Sequence, residues 1–415
     1  MHVLYVHPNY PAQFGHIAKL LAAKPGWRCT FVSRTADGFD GGVEKMQHQP
    51  SGGATQTTHF CSRTFENSVW QCDAVYRALK DRPDIRPDLI VGHSGFGSTL
   101  FLRELYPKTP IINLFEYYYR PHEPDDDMDF RSDLGWKLDD MQYARARCRN
   151  AMLLLDLQNC HAGYAPTRFQ KSRFPPEYQP KLRVIFDGID RGIYHGHDGA
   201  LRPPIPQRAA RTIGGVQVGP TTRIVTYVSR GFESMRGFDI FMRCAKRIAE
   251  QFPDVIFIVV GSDRVAYGGD EGYLEGKKTF KEWVLAREEF DLSKFAFVGR
   301  LEPGELARLL ASTDLHIYLT APFVLSWSMM DAMSCGAVVL GSDTPPVREM
   351  IANGENGLLV DFFDVEGMAE RAVEVLLNPE AFRRLGEAAE QMIARKYSLD
   401  ATLPKMVEMY EEVCP

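Results

Sequence analysis

The feature that most restricts the fold is a repeated alternation: a short, β-rich apolar run, then a loop, then a stretch of helical period. Near the amino terminus Val3 to Val6 is followed by the loop His7 to Gly15 and a helical pattern from His16 to Ala23. Apolar runs recur at Cys29 to Ser33, Leu89 to Val91 and Pro110 to Phe115. After residue 220 the rhythm returns at Ile224 to Val228, Val255 to Val260, Phe295 to Val298 and Leu315 to Leu319. Continuous apolar runs suit strands buried on both faces, and strands separated by helices pair in parallel. The expected fold class is α/β: two Rossmann-like α/β/α domains facing a central cleft. A chain of 415 residues has room for two cores of roughly 200 residues each.

Between Gly196 and Pro220 this rhythm fails and Pro, Gly and Arg dominate. The expected division is a first domain over 1–200, a linker over 201–220, a second domain over 221–398 and a terminal helix over 399–415 that packs back on the first domain, the last by analogy with similar folds. A net charge of −6 and a pI near 6.0 argue against a nucleic-acid partner bound through its phosphates. The eight cysteines lack CxxC spacing, which suggests neither a zinc site nor a disulfide framework. No apolar run reaches the roughly 18 residues that span a bilayer, and MHVLYVHPNY reads as a strand rather than a signal peptide. A cytoplasmic location is expected. The aromatic patch Phe115 to Tyr119 could stack on a sugar or meet a lipid, so peripheral membrane contact stays open.

Leu319 to Asp343, LTAPFVLSWSMMDAMSCGAVVLGSD, concentrates the chemistry. A strand, a short loop and a helix whose first turn aims N–H groups at that loop make an anion site. Asp331 lies inside the helix, where a carboxylate needs a hydrogen-bonding ligand or carries an uncompensated burial cost. In the first half, ligands should sit beyond strand ends, so His93, Glu116 and Gln13 to Gly15 are expected to line one crevice. The loop after the first strand has no GxGxxG fingerprint. Asp125, Asp126, Asp127 and Asp129 read as a solvated acidic loop rather than a metal site.

Taken in order, Tyr227-Val228-Ser229-Arg230, Met235-Arg236-Gly237-Phe238-Asp239, Val260-Gly261, Phe297-Val298-Gly299, Met330 to Gly336 and Asn356-Gly357-Leu358-Leu359-Val360 resemble the carboxyl-terminal domain of retaining GT-B glycosyltransferases of family 4. The first half resembles that family only in its opening strand-loop-helix and in Asp187-Gly188-Ile189-Asp190, similar to an N-G-V-D turn. The resemblance implies a nucleotide-sugar donor, a glycan, lipid-linked or small-molecule acceptor, and neither metal nor cofactor. It implies that Arg230 and Arg236 neutralise the donor diphosphate, Arg236 standing where Lys is usual. Asp331 stands where a Glu takes the ribose hydroxyls. Phe323 stands where a second Glu contacts the transferred sugar, which leaves backbone N–H groups of Val324, Leu325, Ser326 and Trp327 as donor contacts. Gly15, Gly261, Gly299 and Arg300 would complete the donor site. Glu116, where the family often has His, and His93 would contact acceptor or donor sugar. A UDP-sugar, glucose first, is the preferred donor. Two other readings stay open: a degenerate member that binds a nucleotide sugar or glycan without turnover, and a sugar-nucleotide epimerase of the same fold.

Overall fold

The structure is a computed structural model that describes residues 1–123, 125, 127–197 and 200–414. It divides into two compact units, each taken by itself here. The first contains Met1–Asp129, Lys137–Gly188 and the chain from Thr402 onward; the second contains Phe130–Trp136 and Ile189–Ala401.

In the first unit the described residues form an eight-stranded sheet from β1 (His2–Val6), β2 (Arg28–Ser33), β3 (Gly38–Asp40), β4 (Val43–Gln47), β5 (Leu89–His93), β6 (Ile111–Leu114), β7 (Ala162–Ala165) and β8 (Leu182–Val184). The spatial order is β3-β4-β2-β1-β5-β6-β7-β8, parallel throughout except for the β3–β4 hairpin. The stretch 37–59 supplies that hairpin. Chain order reverses between β1 and β5, so the crevice that such sheets reserve for ligands lies beyond Val6 and His93. Val6 pairs with Gly92 and His93 with Leu114, which brings His7, His93 and the residues after Leu114 to one edge. The core on one face contains Val3, Tyr5, Phe14 and Phe31 together with Met406, Met409 and Tyr410 of the terminal helix Leu399–Val413.

The second unit starts with a small hairpin, β9 (Arg211–Ile213) and β10 (Val216–Val218). Its six-stranded sheet is built from β11 (Arg223–Gly231), β12 (Val255–Ser262), β13 (Phe295–Gly299), β14 (Leu315–Tyr318), β15 (Val339–Ser342) and β16 (Leu358–Val360). The order β13-β12-β11-β14-β15-β16 is all parallel and is the dinucleotide-fold order with its switch between β11 and β14. The loops beyond Gly231 and Tyr318 therefore meet at the ligand crevice of this unit.

Two expected boundaries differ from the structure. Residues 201–220 are not a linker: Arg208 forms a buried bidentate pair with Asp314 at 2.7 and 3.1 Å, and Arg202 donates to the carbonyls of Thr313 and Gly336 at 2.9 and 2.6 Å. Arginines fix this segment, which is why apolar periodicity vanishes from it. The first domain does not run to residue 200, because Ile189 exchanges backbone hydrogen bonds with Tyr397 and Leu399 of the second unit. The helix Asp140–Asn159 begins behind an Asp139/Gln142 capping box. The residues before it belong to the second unit: Phe130 packs on Phe362 and Phe363, and Trp136 stacks on Tyr273 at 5.0 Å.

Candidate active site

Loop 229–237 is held by buried carboxylates. Glu233, fully buried, accepts hydrogen bonds from the backbone N–H groups of Ala266, Tyr267 and Gly268 at 2.8, 2.8 and 3.1 Å. Asp270 accepts from the N–H and the hydroxyl of Ser234, both at 2.7 Å. Burial pushes the Asp270 carboxyl up to about 6, against the pull of the Ser234 donors. Arg131 donates to both oxygens of Asp239, at 3.0 and 2.7 Å, and to the Ser234 carbonyl. These contacts fasten the loop after β12 to the loop after β11 and set Tyr267 between the two arginines expected to meet phosphate.

Arg236 is 4% exposed. Its guanidinium donates to Thr320 Oγ1 at 2.7 Å, the Val324 carbonyl at 3.0 Å and the Tyr318 hydroxyl at 3.4 Å. It lies 5.2 Å from the Tyr267 ring and 6.0 Å from the Phe323 ring. No carboxylate among the described residues pairs with it. Burial alone would weaken its charge, but the neighbouring Tyr318 and Tyr267 hydroxyls and Glu233 leave its pKa raised, so it stays cationic. A buried guanidinium without an ion-pair partner is costly unless an anion visits. Arg230 is exposed and reaches the Tyr267 hydroxyl at 3.5 Å. Tyr227, Ser229, Arg236, Tyr318, Ser326 and Ser328 are among the residues that line one recess.

The helix Trp327–Ser334 is capped by the Ser326 hydroxyl, which accepts from Ser328 N–H at 3.3 Å. One expected donor contact is altered: the Ser326 N–H already donates to the Tyr318 hydroxyl at 2.9 Å, because β14 ends directly beneath this turn. The N–H groups of Val324 and Leu325 have no protein acceptor among the described residues. Asp331 is 8% exposed, and its carboxylate accepts no hydrogen bond from the described residues. Burial pushes its pKa up to about 8. Phe323 packs 5.8 Å from Tyr267. Gly261 (φ +146°) passes so close to Ser229 that a Cβ would meet its carbonyl oxygen at 2.0 Å. Gly299 ends β13, and Arg300 follows it into solvent.

In the first unit the structure brings His93 and Glu116 together, with 3.3 Å between Nε2 and Oε2. Gln13 donates to the other Glu116 oxygen at 2.7 Å, and the His7 ring lies 5.2 Å from that of His93. Nδ1 of His93 is 3.0 Å from the Ser94 carbonyl, an acceptor only, so Nδ1 carries the proton and Nε2 faces the carboxylate. Burial disfavours charge on His93, but Glu116 outweighs it and the pKa is raised. On Glu116 burial opposes ionisation, His93 and Gln13 outweigh it, and the pKa is lowered. Both shifts favour the imidazolium–carboxylate form of the pair. Gly15 opens the helix Gly15–Ala22 and packs on Pro11. Of the acidic loop, Asp127 accepts from the Tyr117 hydroxyl at 3.0 Å and Asp129 from the Tyr143 hydroxyl; Asp126 lies outside the described residues. Among the described residues no group of three or more His, Cys, Asp or Glu side chains is placed to hold a metal ion. No described helix is long and apolar enough to cross a membrane.

Sequence reasoning missed Tyr267, Glu233 and Asp270. The only signal for Tyr267 was its Gly-flanked position in a strand-end loop; Glu233 and Asp270 act through contacts about 35 residues apart in sequence.

Residues 25–193 match the family described as Glycosyl transferase family 4 group, and residues 215–392 match Glycosyl transferases group 1. The two matches take in most of the chain, and it belongs to this family. The N-acetyl-alpha-D-glucosaminyl L-malate synthase of Bacillus anthracis is 28% identical over 232 residues, 56% of this chain and 53% of that protein. The chain spans about half the length of the curated relatives it matches. Among solved structures, sucrose-phosphate synthase from Thermosynechococcus elongatus superposes with a TM-score of 0.71 at 17% identity, covering 99% of this chain and 98% of that one. Anabaena HepE in complex with UDP and glucose gives 0.65 at 16% identity, covering 99% and 100%. The fold is GT-B.

Proposed function

We propose that the protein is a retaining glycosyltransferase that moves a sugar from a nucleoside diphosphate, UDP-glucose preferred, to a hydroxyl-bearing acceptor. The observation that carries the reading is Arg236: a buried cation without a carboxylate partner among the described residues, at the switch point of the second unit and beside the exposed Arg230. The two guanidiniums would hold the diphosphate and stabilise it as charge develops on the leaving group. Asp331, which has no hydrogen-bond donor among the described residues, would take the ribose hydroxyls. Val324 and Leu325 N–H groups would meet phosphate or sugar oxygens. Glu116, oriented by Gln13 and His93, would bind a sugar hydroxyl. The departing phosphate would receive the acceptor proton on the face it leaves, so that configuration is retained. HepE was solved with UDP and glucose, and that complex, as described for that protein, is the reason for placing uridine first.

A thermal-shift panel of UDP, GDP, ADP and their sugars tests the donor reading. A ligand at 100 times its Kd stabilises the native state by about 2.7 kcal/mol, a shift of several degrees. A nucleoside diphosphate should give that shift; none with any nucleotide would overturn the reading. Phe323, in place of the sugar-binding acid, favours one alternative, a binder without turnover. Tight nucleotide binding with no consumption of any nucleotide sugar would establish it.

A further inference from the structure

We infer that Phe96 is the stacking platform of the acceptor subsite and that the accepting end of the acceptor is a polyhydroxylated six-membered ring, a pyranose or a cyclitol. This rests on the transferase reading above. The Phe96 side chain is 59% exposed, although it follows a strand whose every residue is buried. A single exposed aromatic residue needs no explanation by itself, but the loop that presents this one is fixed in place. Ser94 and Ser98 each donate a hydroxyl to the fully buried Asp156 carboxylate, both at 2.8 Å. The N–H groups of Phe96 and Gly97 both return to the His93 carbonyl, at 3.2 and 2.7 Å. Gly95 has φ +84°, and a Cβ on Gly97 would lie 2.3 Å from the Val6 carbonyl oxygen. Burial pushes the Asp156 carboxyl up to about 6 against the pull of the two serines. Holding a carboxylate in the interior is costly, and here its bonds fix a phenyl ring in solvent.

The position of that ring defines what it can meet. Its centroid lies 5.1 Å from His93, edge to face, and His93 is 3.3 Å from Glu116. Glu116 remains 22% exposed at its side chain and retains lone pairs beyond those used by Gln13 and His93. An apolar ring and a hydroxyl-accepting carboxylate thus both pack on the one imidazole of His93. A polyhydroxylated ring offers both complements, C–H bonds on its face and hydroxyls at its rim. An alkyl chain would leave Glu116 unused, and an anionic group would meet its charge.

Saturation-transfer NMR in the presence of UDP tests this with methyl α-glucopyranoside and myo-inositol as ring probes and mannitol as an open-chain polyol. The ring C–H protons should receive saturation from the native protein, mannitol should receive little, and Phe96→Ala should weaken ring-probe affinity by up to about tenfold. Phe96→Trp should restore it. An unchanged signal in Phe96→Ala, equal transfer to mannitol, or no transfer to either ring probe would overturn the inference. The UDP-induced thermal shift separates the two failures: its absence in the native protein sinks the transferase reading, and its presence in Phe96→Ala shows that this variant is folded.

Discussion

Replacing Arg236 with Met separates a ligand-binding arginine from a structural one. The guanidinium makes hydrogen bonds at 2.7, 3.0 and 3.4 Å, the longest of them weak. Bonds of a charged donor contribute about 1.5–3 kcal/mol each, whereas burying a guanidinium without a carboxylate costs several kcal/mol. The two nearly offset, and Met fills much of the same volume. Stability of the nucleotide-free protein should therefore change by no more than about 2 kcal/mol. With UDP the balance is different. An arginine fork on a phosphate makes two charge-assisted bonds, about 3–6 kcal/mol together, so Arg236→Met should weaken UDP binding by about 10²–10⁴-fold. Titration calorimetry gives the affinity and scanning calorimetry the stability. A variant that binds UDP within tenfold of the native protein, or that loses more than about 4 kcal/mol of stability, would show that Arg236 is structural.

Asp331→Asn addresses the buried acid. Burial raises the folded pKa of Asp331 to about 8, so its contribution to stability is complete below the unfolded value of 3.8 and is lost as pH rises toward 8. Asn has no such loss, and its melting temperature relative to the native protein should climb between pH 5 and 8.5; a constant difference in scanning fluorimetry would refute the assignment. His93→Gln should flatten the stability profile above pH 6.5, because the raised pKa of His93 gives stability that is complete below 6.5 and fades as pH passes the folded value. Urea unfolding should show a larger cost at pH 6 than at pH 9, and equal costs would contradict the ion pair. Arg208→Ala leaves Asp314 charged and unpaired in a site 0% exposed at its side chain, which should cost about 3–5 kcal/mol in urea unfolding. A loss below about 1 kcal/mol would return residues 201–220 to the status of a linker.

Both sheets were legible because their strands are apolar without interruption and their helices keep a 3.6-residue period. Arg230, Arg236 and Asp331 were legible as candidates only through the motifs that resemble family 4. Their surroundings were not. That Arg236 is buried and Arg230 exposed depends on Tyr318, Thr320 and Val324, more than 80 residues away in sequence. In segment 130–136, Arg131 pairs with Asp239, 108 residues on, and Trp136 stacks on Tyr273. Contacts of that range leave no periodic trace. Phe96 carried no signal beyond two flanking glycines, and only the buried Asp156 beneath them shows why its ring is held in solvent.

The most direct test of the central claim is turnover. The purified protein, incubated with UDP-glucose, UDP-N-acetylglucosamine or GDP-mannose and a mixture of ring acceptors, is followed by phosphorus and proton NMR. The account predicts release of the nucleoside diphosphate from one of these donors, with the product linkage keeping the configuration of the donor's anomeric carbon. Release with inverted configuration would contradict the mechanism, and no release from any donor despite nucleotide binding would contradict the claim that the protein is a transferase.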